Sequence, residues 1–107
     1  MNTTNHKELP KDERALNVLY EVIDPELQVN IVDLGLVYDI EFLENHIKVI
    51  MTLTSRFCPM GDAIQQGVTN ALESEFPGET IEIELTFSPA WSMDLVSAEG
   101  REQLAER

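Results

Sequence analysis

A chain of 107 residues, with 43% hydrophobic and 25% charged residues, has the size and composition of one soluble globular domain with a modest core. Its formal net charge of −13, from 20 acidic against 7 basic residues, repels phosphate backbones and argues against nucleic acid as a partner. The same charge either steers encounter with a basic protein or simply keeps a small protein soluble.

The opening Met1-Asn2-Thr3-Thr4-Asn5-His6-Lys7 is polar and lacks the apolar core of a signal peptide. No apolar run approaches the ~20 residues of a membrane-spanning helix, so no membrane association is expected. The single cysteine cannot form an intramolecular disulfide. A cytoplasmic location is the resulting expectation.

Residues 1–10 read as a polar tail ending at Pro10, and residues 11–107 as the domain. From Asp12 to Ile23, the residues Leu16, Leu19, Tyr20 and Ile23 recur at helical spacing, with Asp12 as N-cap and Pro25 as the stop. An irregular stretch follows, from Asp24 to Gly35. Leu36 to Leu43 and Ile47 to Thr54 read as strands joined by a tight turn at Glu44-Asn45, with Ile47, Val49, Met51 and Leu53 alternating onto one face. Pro59 to Phe76 carries helical periodicity through Ile64, Val68 and Leu72, ended by Pro77-Gly78. Thr80 to Phe87 is a third strand, with Ile81, Ile83, Leu85 and Phe87 inward. A last helix starts with Ser97 as N-cap. The expected fold is α/β (α+β) in the order α-β-β-α-β-α. It has a small three-stranded mixed sheet, because a strand–helix–strand unit makes its two strands parallel and the hairpin adds an antiparallel one.

Cys58 falls in the strand-to-helix turn, next to Pro59, a favoured first residue of a helix. Unpaired N–H groups and the dipole at a helix start stabilise a thiolate, which suits a nucleophile or a metal ligand. Arg56 adds positive charge nearby. Packing as a small buried hydrophobe is the other reading, and position alone does not choose between them. A histidine partner is hard to find. His46 sits at the far end of the second strand, about 26 Å away along eight residues, and the stretch from Thr54 to Cys58 recovers at most about 14 Å. His6 lies in the tail. One thiolate also falls short of the four ligands usual for zinc or an iron–sulfur cluster. Further ligands would have to come from a second subunit, a small thiol, a partner or nearby carboxylates.

Two more clusters flank this picture. Asp24, Glu26 and Asp33 put three carboxylates on the irregular stretch, where they serve either a ligand or partner, or helix caps and Asx turns. Thr52 and Thr54 share a strand face near Cys58, or occupy a half-exposed sheet surface. Trp91, in Ser88-Pro89-Ala90-Trp91-Ser92, follows the third strand on the same side of the sheet as Cys58. It is either a partner contact or a plug over the core.

Asp24-Pro25-Glu26, Asn30-Ile31-Val32-Asp33-Leu34-Gly35-Leu36-Val37, Thr52-Leu53-Thr54, Cys58-Pro59 and Pro89-Ala90-Trp91-Ser92 stand in one specific order. In this the chain resembles the SufT/PaaD-like iron–sulfur maturation family, over roughly residues 11–104. The resemblance implies a non-enzymatic cytoplasmic auxiliary factor with Cys58 as the functional thiol and metal ligand. Asp24, Glu26, Asp33, Thr52 and Thr54 would stand around it, and Trp91 would meet partners. The cargo it implies is a transient iron–sulfur cluster, completed by ligands from outside the subunit. The partners it implies are carrier or scaffold proteins and client apo-proteins, with a homodimer as one source of a second thiolate. Ser55-Arg56-Phe57 departs from the proline that often follows the Leu-Thr pair in the family. Relatives with an added ATPase domain are not expected at this length, and no Gly-rich phosphate loop appears. The branch serving phenylacetate-oxygenase assembly usually carries extra C-terminal cysteines, which this chain lacks. An adaptor that never touches the cluster is the alternative function, and a thiol enzyme the third.

Overall fold

The computed structural model describes residues 9–55 and 60–106. Most of the expected tail and the segment Arg56-Phe57-Cys58-Pro59 lie outside the described residues. The elements follow the expected order: α1 (Lys11–Leu19), β1 (Val37–Leu43), β2 (His46–Met51), α2 (Gly61–Glu75), β3 (Thr80–Leu85), a 3₁₀ turn (Met93–Leu95) and α3 (Ala98–Ala105).

The sheet grows from the hairpin. β1 and β2 are antiparallel, with Leu43 opposite His46 across the two-residue turn Glu44-Asn45. Asn45 takes a positive φ (58°), a left-handed conformation that asparagine adopts more readily than most residues. β3 joins the other side of β2 in parallel, Ile47 opposite Ile81 and Val49 opposite Ile83, after the α2 crossover. The alternation read from the sequence fixes the faces: Ile47, Val49 and Met51 are buried, and in α2 Ile64, Val68 and Leu72 are buried. On the other face Glu41, Lys48 and Glu82 form one row across the three strands. There Lys48 Nζ lies 2.8 Å from Glu84 and His46 Nε2 lies 2.7 Å from Glu82. His46 is thus paired on the open sheet surface.

α1 is shorter than the sequence suggests and turns a different side inward. It begins after Pro10, with Asp12 and Glu13 in its first turn, where the dipole favours acids. It stops at Leu19, where Glu21 and Val22 donate to Val18 and Leu19 in tighter i→i+3 bonds. Leu19 is buried as expected, but Leu16, Tyr20 and Ile23 are 38%, 46% and 50% exposed. The inward residues are Ala15 and Leu19, with Val18 packed beside them and Val22 beyond the helix end. Both stripes obey helical spacing, and the second wins because α1 packs against α2. Arg14 fixes that contact: its Nε lies 2.8 Å from Glu75 Oε2, and its guanidinium sits over the Phe76 ring.

The stretch between α1 and β1 is irregular, as expected, yet it is part of the core. Val29, Ile31, Leu34 and Leu36 are all 1% exposed or less; burying such side chains is worth about 1.5–3 kcal/mol each. A bridge between Ile23 and Asn30 closes it into a small loop. Gly35 adopts φ +78°, and a Cβ there would overlap the carbonyl oxygen of Leu95. Only glycine lets the chain turn here while the 3₁₀ segment lies across it.

Candidate functional site

The loop spanning 24–36 is the hub to which the sequence-predicted residues attach. Asp24 is fully buried. Its Oδ1 accepts the N–H groups of Glu26 and Leu27 at 2.8 and 3.0 Å, an Asx turn. Its backbone N–H donates to Val29 and its carbonyl accepts from Gln28, a residue at φ 61°. The second carboxylate oxygen, Oδ2, is buried and has no hydrogen-bond partner among the described residues. Leaving a buried acceptor unsatisfied costs about 1–3 kcal/mol, so this atom calls for an explanation beyond local folding. Glu26, two positions on, is exposed.

Asp33 is committed differently. Its Oδ2 accepts from Asn30 Nδ2 and its Oδ1 from Ser97 Oγ, each at 2.8 Å. Its carbonyl accepts the Ser97 N–H, also at 2.8 Å. Ser97 Oγ in turn accepts from Gly100 N–H, capping α3 as its residue type predicts. Asp33 therefore binds α3 to the loop. Asn30 and Ser97, which the sequence reading did not place in the site, complete this arrangement. The Asn30-x-x-Asp33 spacing was the available signal, since Asn30 Oδ1 accepts the Asp33 N–H in the manner of an N-cap.

Thr52 and Thr54 lie past the end of β2, which stops at Met51. Thr52 is fully buried; its N–H donates to the Leu36 carbonyl at 2.8 Å, so it is tied to the same hub. Because Met51, Thr52 and Leu53 are all buried, the alternation breaks here and the strand reading overshoots. Thr54 is half-buried at a bend. Leu53 meets the start of α2, where a Cβ on Gly61 would come within 2.8 Å of its Cδ1. Glycine permits that close approach. Trp91 completes the ring: its indole N–H donates to the Leu34 carbonyl at 2.6 Å and its ring packs against the core.

The loop thus draws together the end of β2, the segment after β3 and the start of α3. It does not assemble a preformed metal site: among the described residues, no group of three or more His, Cys, Asp or Glu is placed to hold an ion. No described helix is long and apolar enough to cross a membrane.

Comparison with known proteins gives this geometry a context. Residues 12–85 match the family model described as iron–sulfur cluster assembly protein. The chain is 37% identical, over 94% of its own length and 96% of the relative's, to a protein from Porphyromonas gingivalis named Fe-S protein maturation auxiliary factor. It is 42% identical to the Fe-S protein maturation auxiliary factor SufT of Staphylococcus aureus, over 71% of this chain and 88% of that one. A crystal structure of a domain of unknown function, DUF59, from Bacillus anthracis superposes with a TM-score of 0.83 at 38% identity. That match covers 89% of this chain and 92% of that one. The chain belongs to the iron–sulfur cluster assembly protein family, in its SufT-like group.

Proposed function

We propose that the protein is a non-enzymatic auxiliary factor in the maturation of iron–sulfur proteins. In this reading Cys58 is a thiolate that transiently holds a cluster or hands it on, with coordination completed from outside the subunit. The names of its relatives support the maturation role. The observation that carries the site is Asp24 Oδ2, a buried carboxylate oxygen without a described partner, in the loop that also anchors Thr52. A buried polar group left unsatisfied calls for an explanation, and a functional role for the Asp24 carboxylate is the one this reading gives.

The roles divide accordingly. Asp24 offers an acceptor, Glu26 adds negative charge at the exposed rim, and Thr52 and Thr54 shape the approach to Cys58. Asp33 acts as a positioning residue through Asn30 and Ser97. Cargo reaches the thiolate from a carrier or scaffold protein and leaves to a client apo-protein. A dimer of the chain is one source of the second thiolate. Anaerobic reconstitution of wild type and Cys58→Ala, followed by transfer to an apo-protein, tests this reading.

A second reading rests on the exposed Met93 and Leu95 (47% and 37%) beside Trp91. There the protein is an adaptor that never touches the cluster and brings clients to a carrier. Cross-linking to clients that is lost in Met93→Glu yet kept in Cys58→Ala supports the adaptor.

A further inference from the structure

Between α1 and β1 lies a groove of about 400 Å³, lined by Asp12, Leu16, Val37, Tyr38, Asp39 and Ile40. We propose that this groove is a docking site for a partner-protein segment that inserts an aliphatic side chain flanked by lysine or arginine. The apolar lining comes from Leu16, more than a third exposed, and from the half-buried Val37, Tyr38 and Ile40. Tyr20, one helical turn beyond Leu16 and 46% exposed, extends this apolar surface along α1.

Charge selects the occupant. Asp12 and Asp39 are exposed members of the lining, and neither forms an ion pair among the described residues. One oxygen of each accepts a neighbouring backbone N–H, from Glu13 at 3.0 Å and Ile40 at 2.9 Å. The charge of each carboxylate still faces solvent. At this groove a second copy, itself acidic with 20 acidic against 7 basic residues, is a poor match for Asp12 and Asp39, and a basic segment is the complementary partner. The second bond also defines how the partner binds. With the Ile40 N–H held by Asp39, an incoming strand would lose a ladder partner at that residue. Recognition rests on side chains entering the groove.

The location is useful to a protein that passes cargo. Val37 pairs with Met51, the residue before Thr52, and the adjacent Leu36 carbonyl holds the Thr52 N–H. A segment seated at Val37 lies beside the end of β2, from which the chain leads to Cys58.

The test places p-benzoylphenylalanine at Leu16 in the full chain, irradiates the native host, and sequences cross-linked segments by mass spectrometry. A control carries the cross-linker at Glu73, on the exposed side of α2. The expected product is a segment of another protein with an aliphatic residue flanked by Lys or Arg. Its yield should fall roughly tenfold in Asp12→Lys/Asp39→Lys and recover when the partner's basic residues are changed to Glu. The wild-type yield should also fall with rising salt, which needs no variant to fold. Cross-links mainly to a second copy, to a segment without basic residues, or equal to those at the control position would overturn the proposal. So would a yield insensitive to both salt and charge reversal, or no product at all.

Discussion

Ser97 and Asp33, 64 positions apart, meet at 2.8 Å, and the Ser97 hydroxyl both donates to Asp33 and accepts from Gly100 N–H. One side chain thus caps α3 and fastens it to the loop that carries Asp24. Ser97→Ala removes both bonds and is expected to cost about 1–2 kcal/mol. Asp33→Ala should cost about 2–3 kcal/mol, because it also leaves Asn30 Nδ2 buried without its acceptor. The double variant should cost less than the sum, since the two residues share an interaction. Urea unfolding of the three variants measures each value.

Gly35 and Gly78 separate two effects of glycine. Both have positive φ, +78° and +91°, but a Cβ at Gly35 strikes Leu95 whereas one at Gly78 meets nothing within 4 Å. Gly78→Ala should cost about 1–2 kcal/mol from backbone conformation alone. Gly35→Ala should cost at least about 3 kcal/mol, since overlap with backbone adds to the same conformational strain. Comparable midpoint shifts for the two would contradict the close packing of the 3₁₀ turn on Gly35.

Trp91 is the only tryptophan, so its fluorescence reports directly on its contact with Leu34. Trp91→Phe keeps a ring but loses the N–H donation and is expected to cost about 1–2 kcal/mol. Trp91→Ala should cost about 3 kcal/mol, because the ring also packs against the core. An unchanged stability in both would mean that the side chain faces outward in solution.

Much of this architecture is legible in the sequence, and the exceptions have physical causes. The alternation of Ile47, Val49 and Met51 and the Ile64-Val68-Leu72 spacing select one burial pattern, and the structure has it. In α1 two apolar stripes fit equally well, and only contact with α2 decides between them. The burial of Val29, Ile31 and Leu34 follows no period, because that loop is folded by tertiary contacts such as Ile31 N–H to Val22. In the site, Asp24 was legible as a residue type in a motif. That one oxygen is satisfied and the other orphaned depends on the fold around it.

Lys48 provides a pH test. The side-chain hydrogen bond to Glu84 and the charge of that carboxylate raise its pKa above 10.5, and Glu82 and Glu41 add to the effect. A raised folded-state pKa means that this contribution to stability is fully present below pH 10.5 and is lost as pH climbs through the folded value. Glu84→Gln should therefore bring the Lys48 titration midpoint down when it is followed by NMR. Near neutral pH, the Lys48 pair should leave stability independent of pH.

Asp24→Asn distinguishes a carboxylate kept for function from one kept for folding. The amide can retain an oxygen for the Glu26 and Leu27 N–H groups while placing its nitrogen where Oδ2 stands. Stability should change by no more than about 1–3 kcal/mol, since an unsatisfied amide N–H takes the place of an unsatisfied oxygen, while cluster transfer should fall markedly. A large loss of stability with normal transfer would make Asp24 a structural residue.

The most direct measurement is anaerobic cluster reconstitution of wild type and Cys58→Ala, followed by transfer to an apo-protein monitored by its recovered cluster absorbance. Wild type is expected to acquire a labile cluster and restore the apo-protein, and Cys58→Ala to do neither. Equal support of maturation by both proteins, with no cluster bound to either, would contradict a thiolate carrier.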